Sequence, residues 1–169
     1  LTQIEREYGQ GSVMRLGDKE AAVAGTAVAT EHLDIKTYPG EASVAVGNRF
    51  SIVLEVTPRP RIHVYAPGSP SYQAIGLRID PQAFVRALPI VYPPSQPYTF
   101  TPLNERVQVY QQPFTLVQEI VVDGSPEATR TLRGKDSITI AGSLDYQACD
   151  DKVCFNPASV PLSWTVPLR

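Results

Sequence analysis

Apolar side chains recur at every second position along most of this chain. In RFSIVLEVT, Phe50, Ile52, Leu54 and Val56 alternate with Ser51, Val53 and Glu55, the pattern of a strand with one buried face. SITIAGSLDY puts Ile138, Ile140, Leu144 and Tyr146 on one side and Ser137, Thr139, Ser143 and Asp145 on the other. VPLSWTVPL repeats it with Val160, Leu162, Trp164, Val166 and Leu168, while Pro161 and Pro167 share the opposite face. Proline brings no N–H to a ladder, so this last strand is expected at a sheet edge. IHVYA, AIGLRI and FTLVQEIVV supply further strands. Turn signals stand between them: Pro39-Gly40, Gly47-Asn48, Pro67-Gly68, Pro93-Pro94, Asp123-Gly124 and Gly134-Lys135. Short strands so punctuated, with no helix read between them, predict an all-β antiparallel sandwich.

Two segments depart from this pattern. Residues 1–20 are the helix-like part, with Ile4, Tyr8 and Gly11 loosely spaced. QIEREYGQGSVMRLGD resembles a short stretch near the start of the RecA recombinases, but no G-x-x-x-x-G-K-[ST] phosphate loop follows it. Residues 21–30, AAVAGTAVAT, are small and suit a linker. The expected division is a tail or linker over 1–30, carried over from an upstream domain, and one β-domain over 31–169. With Leu at position 1, the chain reads as a piece of a longer protein whose signal or anchor lies outside it. The Pro- and Tyr-rich segment 88–105 is expected to be a long crossing loop, not a central strand.

Charge and composition narrow the function. The 15 basic and 17 acidic side chains leave a net charge of -2, which argues against a nucleic-acid partner. No apolar run is long enough to cross a bilayer as a helix. With two histidines and two cysteines, a histidine-rich zinc site is excluded, and two thiols alone half-fill a tetrahedral one. The chain has no phosphate cradle and no G-x-S-x-G elbow. No cofactor or metal is expected.

The candidate chemistry lies in DYQACDDKVCFNP. Asp150, Asp151, Lys152 and Val153 turn the chain from Cys149 back to Cys154. Cross-strand Cα atoms lie about 4.5–5.5 Å apart, within disulfide range. A bond closing so short a loop adds less stability than one closing a long loop, and is better placed to be opened and closed by a partner. Face parity predicts exposure: with even-numbered residues 138–146 inward, Cys149 points outward. Asp150 and Asp151 disfavour a thiolate there, and Lys152 offsets them in part. That describes a passive exchange partner rather than an activated nucleophile. A stable structural disulfide, a free thiol pair and a metal site using His63 stay open as alternatives. His63 and Tyr65 share a strand face, from which the imidazole could orient a ligand or tune the thiols. Tyr72, Tyr92 and Tyr98 have no assigned role.

HVYAPG, VQVYQQPF and LDYQACDDKVCFNPASVPLSWTV together resemble the N-terminal periplasmic domain of the thiol:disulfide interchange protein DsbD, in a form found beside redoxin domains. The resemblance runs from about Leu33 to Leu168. It implies an immunoglobulin-like β-sandwich and a periplasmic or otherwise extracytoplasmic location. Cys149 and Cys154 would be the redox pair of a protein-disulfide reductase component. Its partners would be a thioredoxin-fold protein or domain, with a transmembrane electron-conducting domain in the same or another chain. His63, Tyr65, Tyr146 and Phe155 fall beside the pair. Two features differ from the best-known members. The cysteine spacing is one residue shorter, and the stretch matching the cap loop, Thr101-Pro102-Leu103-Asn104-Glu105, has no aromatic. Phe100, just before it, is the expected substitute.

Overall fold

Period-two alternation builds three antiparallel sheets around one principal core. The structure, a computed structural model, describes residues 25–169; the helix-like stretch 1–20 lies outside them. The first sheet holds β1 (Thr26–Ala29), β2 (Leu33–Pro39), β3 (Arg49–Pro58), β9 (Phe114–Val122) and β6 (Val85–Ala87), in that order. The second holds β12 (Ala158–Pro167), β10 (Ser137–Tyr146) and β5 (Gly76–Ile79). The third holds β11 (Ala148–Cys149), β4 (His63–Tyr65), β8 (Glu105–Tyr110) and β7 (Gln96–Phe100). The second and third sheets join where β10 runs on into β11, and where Tyr65 bridges to Ala74 just before β5. Together they face the first sheet, completing an immunoglobulin-like β-sandwich.

The three longest strands bury the residues that the alternation selects. Phe50, Ile52, Leu54 and Val56 of β3 meet Phe114, Leu116 and Ile120 of β9. Ile138, Ile140 and Leu144 of β10 and Val160, Leu162, Trp164 and Val166 of β12 close the core from the other side. Each such side chain contributes about 1.5–3 kcal/mol on burial. Strand β12 is at the edge of its sheet, as Pro161 and Pro167 require. Trp164 ties the layers together: its indole N–H donates to Thr37 Oγ1 at 2.8 Å, and that hydroxyl donates to the Val53 carbonyl at 2.7 Å.

Three local expectations need correction. Thr26–Ala29, expected as linker, is a strand paired with β2, so the β-structure begins before residue 31. The segment 88–105 is not one loop: its first part runs beside β9 through a Val91–Val117 bridge, and Gln96–Phe100 forms the edge strand β7. A short helix, α1 (Pro126–Leu132), does stand between strands. Its start was written in the chain as Ser125-Pro126-Glu127, a capping serine whose Oγ accepts from the Ala128 N–H at 3.2 Å, with Pro at the first helical position.

Gly142 of β10 lies opposite Ile79 of β5, where a Cβ would collide with the Arg78 carbonyl oxygen. Gly142→Ala is expected to cost about 1–3 kcal/mol by overpacking, seen as a lower urea midpoint at unchanged slope. An unchanged midpoint would show that β5 yields freely.

Candidate functional site

The chain reaches its cysteines by changing sheets. Tyr146 ends β10, and Gln147 carries the chain over to β11. The Gln147 side chain fastens the crossing, donating to the Phe155 carbonyl at 3.0 Å and accepting from the Gln73 N–H at 3.1 Å. In β11, Ala148 pairs with Val64 and Cys149 with His63. The turn that follows is closed by the Asp150 N–H donating to the Val153 carbonyl at 3.0 Å. Asp150 Oδ1 accepts from the backbone N–H groups of Val153, at 2.7 Å, and Lys152, at 2.8 Å, an Asx-type turn. Those two donors, Val153 first, hold the Asp150 carboxyl below its usual range. Its charge is directed at the turn's own backbone. Cys149 and Cys154 come to a Cα separation of 4.1 Å and form a disulfide.

The expected exposure of Cys149 is wrong, and the reason is specific. Parity does place it away from the principal core, because Ala148 and Val64 take the inward face. But the third sheet is covered on both sides. Its outer face carries a second apolar cluster of Tyr65, Val107, Val109 and Cys149, with Tyr72, Tyr98 and Cys154 packed against it. Cys149 is 0% exposed, and Cys154 is partly exposed. Tyr65, Tyr72 and Tyr98 form part of the cover. Tyr72 stacks on Tyr65 with ring centroids 4.1 Å apart and planes 4° from parallel, and its hydroxyl donates to the Glu105 carboxylate.

Beneath that stack, the Tyr65 hydroxyl lies 3.1 Å from Cys149 Sγ and 3.3 Å from Cys154 Sγ. A disulfide carries no proton, so the phenol is the donor to both. Burial, then the Tyr72 neighbour, pushes the phenol's pKa upward, so it stays protonated. His63 is buried between two rings, with centroids 4.3 Å from Tyr98 and 5.7 Å, edge-on, from Tyr65. Its Nε2 has no hydrogen-bond partner, and burial lowers its pKa against the pull of Asp150 and Asp151. A pocket of about 260 Å³ opens beside it, lined by Arg61, His63, Tyr98, Gln111, Gln112 and Asp151.

The family described as the N-terminal domain of the thiol:disulfide interchange protein DsbD matches residues 36–161, a span that includes both cysteines. The chain belongs to this DsbD N-terminal family. Among solved structures, the N-terminal periplasmic domain of ScsB from Proteus mirabilis is similar in fold, with a TM-score of 0.59 and 17% identity. That match covers 83% of this chain and 51% of the ScsB chain, so the present chain spans about half the length of the protein it matches. The yeast GGA1 GAE domain aligns with a TM-score of 0.42 and 9% identity over 80% of this chain and 94% of its own, and nothing rests on it.

Within this DsbD-type domain, the structure gathers some of the expected residues and separates others. Cys149, Cys154, Tyr65, His63, Asp150 and Asp151 are together. Lys152 stands exposed in the turn and contributes its backbone N–H to Asp150. Tyr146 faces the principal core and lies 3.2 Å, hydroxyl to hydroxyl, from Thr30. Phe155 packs on that core and on the His32 ring at 4.2 Å. Phe100 is buried near the tip of the β7–β8 hairpin but lies outside the cluster around the sulfurs. Tyr98, on the same strand, takes the place expected for it. Of the three unassigned tyrosines, Tyr72 and Tyr98 cover the disulfide, and Tyr92 instead donates to the Ile75 carbonyl at 2.7 Å. Among the described residues, no group of three or more His, Cys, Asp or Glu side chains gathers as a metal site, and no helix is long and apolar enough to cross a membrane.

Proposed function

We propose that this domain exchanges thiols and disulfides with a thioredoxin-fold partner through Cys149 and Cys154, passing reducing equivalents to extracytoplasmic proteins. The observation that carries it is the Tyr65 hydroxyl held within hydrogen-bond reach of both sulfurs. An inert disulfide needs no donor, whereas a thiolate leaving in exchange is stabilised by one. Unequal burial sets the order of events. The partner's thiolate attacks Cys154 Sγ, the reachable sulfur. The S–S bond breaks, and its electron pair leaves on Cys149 Sγ beneath the Tyr65 O–H. The partner's second thiol then attacks its own sulfur in the mixed disulfide and releases Cys154. Net, the partner dithiol is oxidised and this pair reduced; the reverse sequence donates electrons onward. Docking has a surface to use. Leu103 at the hairpin tip and Val153 in the cysteine turn are two of the three large apolar side chains that stand exposed among the described residues. A periplasmic location, and a membrane-embedded electron donor in the same or another chain, fit this role.

Removing one cysteine at a time tests the proposal. Cys149→Ser is expected to trap a mixed disulfide through Cys154 with a thioredoxin-fold protein lacking its resolving cysteine. Cys154→Ser should trap roughly tenfold less or worse, since the remaining thiol is enclosed. Failure of both variants to trap any such protein would overturn it. The full burial of Cys149 favours one alternative, an interaction module with a structural disulfide. That alternative requires a strongly negative reduction potential and a function that survives replacement of both cysteines by serine.

A further inference from the structure

His63 carries a feature that the exchange scheme above does not use. It is 2% exposed, and its Nε2 has no hydrogen-bond partner. Buried polar atoms are almost always paired, and an orphan costs about 1–3 kcal/mol. The position of this one is telling. His63 is directly opposite Cys149 in the β4–β11 ladder, so the two side chains leave the sheet on the same face with Cβ atoms about 4.5–5.5 Å apart. Tyr65, two residues along that face, already donates to both sulfurs. In the disulfide state the imidazole Nε2 bonds to no charged group, although Asp150, Asp151 and Arg61 lie nearby. Reduction changes this by placing an anion, or a thiol ready to become one, across the ladder from it.

We propose that reduction creates an ion pair between the Cys149 thiolate and the His63 imidazolium, making His63 the site that holds the proton of the reduced pair. The inference rests on the exchange scheme and adds one group to it. The partner dithiol gives up two electrons and two protons. The electrons enter the Cys149–Cys154 bond. One proton ends on Cys154 Sγ, and the other on His63 instead of on Cys149 Sγ.

The surroundings are suited to this. Asp150 and Asp151, on the turn after β11, favour a charged imidazole. Arg61 lines the same pocket and opposes it. The remaining neighbours, Tyr65 on β4, Tyr98 on β7, and Gln111 and Gln112 after β8, are uncharged at neutral pH. Burial opposes the charge in the disulfide state, and the new thiolate supplies what burial removes. The pocket beside His63 gives water, and therefore protons, a route to the ring. Cys149 would then be ionised in the reduced domain near neutral pH, despite the two aspartates that follow it.

NMR titration of the ring signals reads the His63 imidazole directly, and Cys149→Ser is the control. In the whole chain reduced by dithiothreitol, the His63 midpoint is expected to rise by about one pH unit or more over the disulfide form, a roughly tenfold change in its ionised fraction. In reduced Cys149→Ser the rise should vanish. As a second measurement, His63→Phe keeps an aromatic against Tyr98. It should push the ultraviolet thiolate absorbance of the reduced protein to higher pH by a similar amount. Equal His63 midpoints in both redox states, a rise that persists in Cys149→Ser, or an unmoved thiolate titration in His63→Phe would each overturn the pair. Partner trapping reads the exchange scheme, while ring titration reads the pair, so either can fail without the other.

Discussion

Replacing Tyr72 and Tyr98 together by alanine is expected to raise the rate at which a small dithiol reduces the Cys149–Cys154 bond by roughly ten- to a hundredfold. Exchange needs a thiolate to approach in line with the S–S bond. One sulfur is sealed, the other partly covered, and tyrosine rings form part of the cover. Tyr72 lies flat on Tyr65, directly above the hydroxyl that touches both sulfurs. Tyr98 lies over His63, on the strand face that also holds Cys149. Each such ring contact contributes about 0.5–1.5 kcal/mol beyond its buried area, so losing two lowers the opening cost by about 1–3 kcal/mol. Tyr72→Phe separates stacking from latching. It keeps the ring on Tyr65 and loses only the bond to Glu105, so a rise of a few-fold at most is expected. Reduction followed by thiol labelling, with the unfolding midpoint as control, gives the rates. Were the double variant reduced no faster than the parent chain, the tyrosines would not be the gate, and the partial exposure of Cys154 alone would set access.

That gate shows where the sequence stops being legible. The long strands could be read because a ten-residue alternation such as that of β10 admits one register against a core. The cysteine pairing could be read because four residues between two thiols force a turn. Parity also gives the facing of Cys149 away from the principal core. What parity cannot report is whether the outer face of a sheet meets water or a second apolar layer. Here that layer comes from Tyr72, on the connection before β5, and from Tyr98, Val107 and Val109 on a hairpin. All of them lie some forty or more positions before Cys149 in the chain. The choice between Phe100 and Tyr98 as cover was equally hidden. Both sit on one face of β7, and only the register that sets Tyr98 against Val107 brings Tyr98 to the sulfurs. Strand β1 carries no periodic signal because TAVA has no bulky alternation. The seven-residue helix α1 buries just Ala128 and Leu132, too little for periodicity, and only its capping serine and proline announced it.

Trp164→Ala should produce the largest loss of stability, about 3–5 kcal/mol, as expected for a buried aromatic that leaves a cavity. The side chain is 3% exposed and spans the gap between β12 and β2. Its N–H bond to Thr37 links the sandwich's two layers. Thr37→Val removes the acceptor while keeping the shape, stranding the indole N–H at about 1–3 kcal/mol. In a double-mutant cycle by urea unfolding, the two losses should fall short of adding by about 1 kcal/mol. Full additivity would mean that the bond does not tie the layers. Trp164→Phe gives a milder version for a folded protein. Because Trp164 belongs to the principal core and the disulfide to the separate cluster on the outer face of the third sheet, Trp164→Phe should lower the unfolding midpoint and leave the reduction rate of the native domain unchanged. A parallel rise in that rate would mean that the sulfurs are reached by opening the sandwich itself rather than by lifting its tyrosine cover.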